Sequence, residues 1–160
     1  MAALAIVIPL VFRGTPLQLN LPFLGFSATL ASHVPEMISI LAGPPMAFAV
    51  GVASALGFLV TLGPVVGFRA FTHGVWGALA SIAYRMGWSY LKVMVVIALP
   101  IHAVGEGLVV MVFGFPMQAV LVTMIGTAIH HIIDLAISMV ILRAAKPVLA
   151  VTVLTKLRLT

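Results

Sequence analysis

The chain has no cysteine, which excludes disulfide bridges and thiolate metal sites. Charge is almost as scarce. Asp, Glu, Lys and Arg make up 7% of its 160 residues, against about 25% in an ordinary soluble domain. Acidic residues number 3 against 8 basic ones. In a soluble protein that excess would point to nucleic acid. Here the basic residues fall between apolar runs and near the C-terminus, so orientation in a membrane accounts for them and no nucleic-acid partner is expected. No Gly-x-Ser-x-Gly, Walker loop or His-Glu-x-x-His string occurs, so the chain is not expected to be an enzyme. The first twelve residues lack a basic leader and a small-residue cleavage site, and read as a retained helix that begins almost inside the membrane.

Hydrophobic residues make up 63% of the chain, more than so few charges can keep soluble. Gly, Pro and basic clusters divide this apolar sequence, and a helix crossing a hydrocarbon core of roughly 30 Å needs about 20 residues. The spacing predicts an all-α integral membrane bundle of six helices, over about 1–12, 26–41, 46–62, 65–85, 91–113 and 117–142, with a basic tail over 143–160. One membrane domain, 1–160, accounts for the chain. The link from Arg13 to Pro22 is the longest outer loop. Cytoplasmic loops retain Lys and Arg. With both termini cytoplasmic, Arg85, Lys92, Arg143, Lys146, Lys156 and Arg158 lie inside and only Arg13 outside. The segment 148–159 is amphipathic enough to lie on the inner surface.

All 3 acidic residues, all 5 His and Arg69 fall within the predicted spans. A charge at the centre of a membrane helix costs roughly 2.5–3.5 kcal/mol, so such groups face a partner or a polar cavity. Their spacing is regular: His33 and Glu36, Arg69 and His73, His102 and Glu106, and His130 and Asp134 each share one helix face. Four helices thus turn polar faces towards one zone in the outer half to the middle of the bilayer. Pairing among themselves, Arg69 with Glu36 or Glu106, would serve as a structural tie. A fold needing only ties, however, would use Ser, Thr and small residues at lower cost. A ligand site is therefore the expectation. Ala49, Gly51, Ala53, Ser54 and Ala55 make a small-residue stripe on the third span, which predicts close helix packing.

The strings F-S-A-T-L-A-S-H-V-P-E-M (Phe26 to Met37), L-A-G-P (Leu41 to Pro44), G-V-A-S-A-L-G-F (Gly51 to Phe58) and R-A-F-T-H (Arg69 to His73) resemble the substrate-binding S components of energy-coupling factor (ECF) vitamin transporters, most closely the niacin type. The resemblance implies capture of a small vitamin or related nutrient, such as nicotinate, from outside a bacterial plasma membrane. It also implies a transmembrane coupling subunit and two ATPase subunits as partners, so that ATP is used by them and this chain needs no cofactor. The family's Ala-x-x-x-Ala docking pattern on the first helix is not met by Ala2, Ala3 and Ala5.

For an anionic heteroaromatic ligand, Arg69 would clamp the carboxylate. His73, His33 and Glu36 would bond a ring nitrogen, and Trp76 or Phe71 would flank the ring. Glu106, His102, Asp134 and His130 would complete the cavity, with the link Arg13 to Pro22 as its lid. The alternative is a Ni, Co or Zn transport site formed by His130, His131, Asp134, His102 and Glu106. Against it stand the permanent charge of Arg69 and the Ala at position 2, where metal-type S components carry His. An intramembrane hydrolase built on the His130–Asp134 face and a proton-coupled carrier are remoter readings.

Overall fold

The computed structural model describes residues 1–152, 158 and 159, and is mostly helical. Helix α1 (Ala2–Val11) leads into an antiparallel hairpin, β1 (Gln18–Leu21) with β2 (Phe26–Thr29), and then into the short helix α2 (Val34–Ser39). Long helices follow: α3 (Pro44–Leu62) and α4 (Pro64–Arg85). Helix α5 (Tyr90–Val93) runs through a π-helical turn, Met94–Ala98, into α6 (Leu99–Val112), and α7 (Met117–Thr152) comes last. Local chemistry sets the starts of α3 and α4. Each opens with proline at its first position, where the missing N–H costs nothing. Each follows a glycine, Gly43 at φ 123° and Gly63 at φ 87°, in backbone that L side chains avoid.

Among the described residues, three continuous helical stretches are long and apolar enough to cross a membrane: Pro44–Leu62, Tyr90–Val112 and Met117–Ala145. Helix α4 has the length but carries Arg69, His73 and Arg85 and is less apolar. The polarity of the molecule is inverted. Val60 and Val112 are 75% and 80% exposed, while Glu36, His102, His131 and Asp134 are fully buried. Such a surface, apolar outside and polar inside, suits lipid as solvent.

The expected second span, 26–41, is not a helix. Its first four residues pair with β1, in the register Gln18 with Thr29 through Leu21 with Phe26. Gly25 at φ 61° and Ala31 at φ 62° both take left-handed backbone, which ends any helix, and only the six residues of α2 are helical. The link expected to end at Pro22 therefore runs on as this hairpin to Thr29. The spans expected at 46–62, 65–85 and 91–113 match α3, α4 and the Tyr90–Val112 stretch to within two residues. Helix α7 runs on well past the expected end at 142. The side chains that would make 148–157 amphipathic lie outside the described residues, and Leu159 is buried instead of lying on a surface. The backbone N–H groups of Tyr90 and Leu91 donate to the carbonyls of Arg158 and Leu159 at 2.7 and 3.1 Å. Arg158 in turn donates to the Tyr84 carbonyl at 2.6 Å. Arg85, Lys92 and Arg158 thus gather around the C-terminal end of α4.

Helices α3 and α4 form the most extensive helix pair, and Gly51 and Ser54 of the small-residue stripe lie in their interface, whereas Ala53 packs with Ala5 of α1 and Ala49 is exposed. A side chain on Gly51 would run into the backbone of His73 and Gly74. Backbone cannot swing aside as a side chain can. Gly51→Ala is accordingly expected to cost about 3 kcal/mol, the upper end of the usual range for overpacking, read as a fall in the unfolding midpoint of the protein in detergent micelles.

Candidate functional site

The i, i+4 spacing of Arg69 with His73 and of His102 with Glu106 aims two polar faces, from α4 and α6, at one point. They meet in a buried ion pair. Arg69 donates from Nε (3.1 Å) and from Nη2 to Oε2 of Glu106, and Thr127 of α7 donates its hydroxyl to the same oxygen. The remaining donors of the guanidinium go to the hairpin, Nη1 to the Gly25 carbonyl at 2.7 Å and Nη2 to that of Ser27 at 3.2 Å. The Phe26 ring lies 5.5 Å from the guanidinium carbon. Every nitrogen of Arg69 is engaged. In this conformation it has no free fork for a ligand carboxylate.

Around the second oxygen of Glu106 stand the imidazoles. Nε2 of His73 lies 3.5 Å and Nε2 of His102 3.3 Å from Oε1. His33, just before α2, packs its ring 4.6 Å from that of His73, 4.5 Å from His102 and 4.5 Å from His130. The far side of each ring meets a supporting group. Nδ1 of His73 bonds Ser54 Oγ of α3 at 3.2 Å, and Nδ1 of His102 bonds His131 Nδ1 at 3.0 Å. Nδ1 of His33 lies 3.0 Å from Asp134 Oδ2, at an angle that falls short of a hydrogen bond.

Asp134 holds the base of the hairpin. Its two oxygens accept the backbone N–H groups of Ala31 at 2.8 Å and His33 at 3.0 Å. His130, one turn earlier on α7, places Nε2 3.0 Å from the Thr29 carbonyl. The hairpin is therefore fastened over the cluster by Arg69, His130 and Asp134. A cavity of about 10 Å³ remains beneath it, lined among others by Ser27, Ser32, His33, Arg69, His73 and Glu106. That is room for one water-sized occupant.

Of the residues expected at the site, His33, Arg69, His73, His102, Glu106, His130, His131 and Asp134 come together, and Trp76 lies beside them, 5.5 Å from both His102 and His131 between ring centroids. Phe71 does not belong to the site. It is 44% exposed and packs edge-on against Phe48 at 6.1 Å. Glu36 is fully buried on α2 with neither carboxyl oxygen bonded, and its Oε1 occupies the space that a side chain on Gly77 would need. The sequence reading missed Ser54, Thr127 and the backbone groups of residues 25–33. Ser and Thr are common packing residues in membrane helices, and nothing in their spacing marks these two. No family model, curated protein or solved structure matches this chain.

Proposed function

We propose that the chain is the substrate-binding membrane subunit of an importer of the ECF kind, a multi-pass protein of the plasma membrane with both termini cytoplasmic. One observation carries the reading: a polar cluster drawn from four helical elements lies beneath a hairpin that polar contacts from Arg69, His130 and Asp134, together with the packing of Leu24 and Phe26, fasten over it. A ligand arriving from outside would enter when these contacts part and be enclosed when they re-form. The gathering of Arg85, Lys92 and Arg158 at the other end of α4 supports the orientation, since basic residues remain on the cytoplasmic side. Binding is thus assigned to this chain, and the energy of uptake to a coupling subunit and two ATPase subunits.

For an anionic vitamin such as nicotinate, Glu106 would have to leave Arg69 and the hairpin would have to lift. Purification of the tagged full-length chain from its own membranes is expected to recover a second transmembrane protein and ATPase subunits in stoichiometric yield, identified by mass spectrometry. Recovery of the chain alone, from membranes shown to contain such a coupling module, would overturn the assignment.

A further inference from the structure

We propose that His33, His73, His102 and Glu106 bind a divalent transition-metal ion, which would be the solute taken up; the inference rests on reading this cluster as the ligand site. One donor atom from each of these residues lies within 4.8 Å of all the others. All four residues are buried, the most exposed at 5%. Imidazole and carboxylate together suit Zn, Ni or Co. With bonds of about 2.0–2.1 Å, the edges of a tetrahedron measure about 3.4 Å. Two edges are already formed, at 3.3 Å from His102 Nε2 and 3.5 Å from His73 Nε2 to Glu106 Oε1. The other edges are no longer than 4.8 Å, so a modest closure of the donors would complete a four-coordinate set.

Three further observations point to an ion and not to a purely structural knot. Nε2 of His73, fully enclosed, makes no hydrogen bond although it faces the cluster. A metal-binding histidine usually has its second nitrogen held by another residue, which fixes ring orientation and tautomer. Ser54 and His131 hold that nitrogen for His73 and His102, and Asp134 Oδ2 stands 3.0 Å from it for His33. The adjoining cavity has the size of a single ion or water and is far too small for a heteroaromatic ring.

Charge balance removes the objection that Arg69 would repel a cation. The guanidinium is spent on Oε2 of Glu106 and on the hairpin, which leaves Oε1 for the ion. At the cluster two buried carboxylates, Glu106 and Asp134, face one buried guanidinium, so a cation there meets net negative surroundings and not positive ones. The metal set expected from sequence centred on His130 and His131. The geometry groups His33 and His73 with His102 and Glu106, sets His130 and Asp134 with His33 in a second donor group, and leaves His131 to support His102.

The test uses the full-length protein in detergent micelles, stripped with chelator and titrated with Co2+ alone, followed by visible absorption. The expected result is one equivalent bound, with the intense d–d bands of a four-coordinate site, displaced by Zn2+. Asp134→Asn should weaken binding about 10–100-fold as loss of a supporting residue, while His73→Ala and Glu106→Gln should weaken it more. Phe71→Ala should leave it unchanged. Each variant is compared with the parent by size-exclusion profile and circular dichroism. His73→Ala does not touch the Arg69 pair, so it decides the matter where Glu106→Gln fails to fold. Absence of saturable Co2+ binding by the parent, or undiminished binding by His73→Ala, would overturn the metal assignment. Recovery of the coupling subunits is read separately, so a metal-free importer and a metal-binding protein without such partners give different results.

Discussion

Glu106→Ala is expected to destabilise the protein by about 3–5 kcal/mol, because it removes one partner of a buried ion pair and strands the other. Arg69 is 2% exposed and would keep only the carbonyls of Gly25 and Ser27. Thr127 and Nε2 of His102 would lose their partners on the same carboxylate as well. The measurement is denaturant or thermal unfolding in micelles. The double variant Arg69→Met, Glu106→Leu should recover most of the loss, since apolar side chains of similar volume leave no charge uncompensated. Metal affinity should be absent from both. That divergence separates the role of the pair in stability from the role of Oε1 in binding. A single-variant loss below about 1 kcal/mol, the worth of an exposed pair, would mean that water reaches Arg69.

Asp134→Ala should release the hairpin. Its carboxylate accepts two backbone N–H groups from a segment more than a hundred residues away, and each donor left unpaired costs about 1–3 kcal/mol. Ala31, the first of these two donors, takes left-handed backbone at φ 62°, a conformation costing about 1–2 kcal/mol that the two bonds hold in place. Without them the segment has a further reason to leave. Amide hydrogen exchange over residues 26–33 should rise sharply while that of α3 and α4 stays slow. Asp134→Asn, which keeps one acceptor, should fall between the two. Equal protection of 26–33 in parent and Asp134→Ala would show that the hairpin is held by its own pairing and by Arg69.

How much of this was legible in the sequence varied from element to element. The helices α3, α4 and α6 could be read because Gly-Pro punctuation sits at their ends and apolar residues fill them. The site was legible as a set of residues, since three of its pairs repeat at four-residue spacing and any buried ionisable group in so apolar a chain needs partners. Which residue meets which was not. Arg69 had two candidate carboxylates, and the crossing of α4 with α6 gives it Glu106 and leaves Glu36 against Gly77. Phe71 and Trp76 were equal candidates to flank a ring, and the rotation of α4 turns one outward and the other in.

The hairpin was the least legible element. Residues 26–41 are apolar enough for a membrane helix, and F-S-A-T can satisfy its backbone in a helix or in a strand. The choice falls to contacts distant in sequence: the ladder with 18–21, the guanidinium of Arg69 on the Gly25 and Ser27 carbonyls, and the carboxylate of Asp134 on the amides of 31 and 33. By itself the sequence determined the apolar helical character, the placement of most long helices and the identity of the polar residues withdrawn from lipid, because burial and helix spacing are local, additive effects. The tertiary structure decided the hairpin, the ion pair and the geometry of the polar cluster, because each depends on groups that only the packing of α2, α4, α6 and α7 brings within bonding distance.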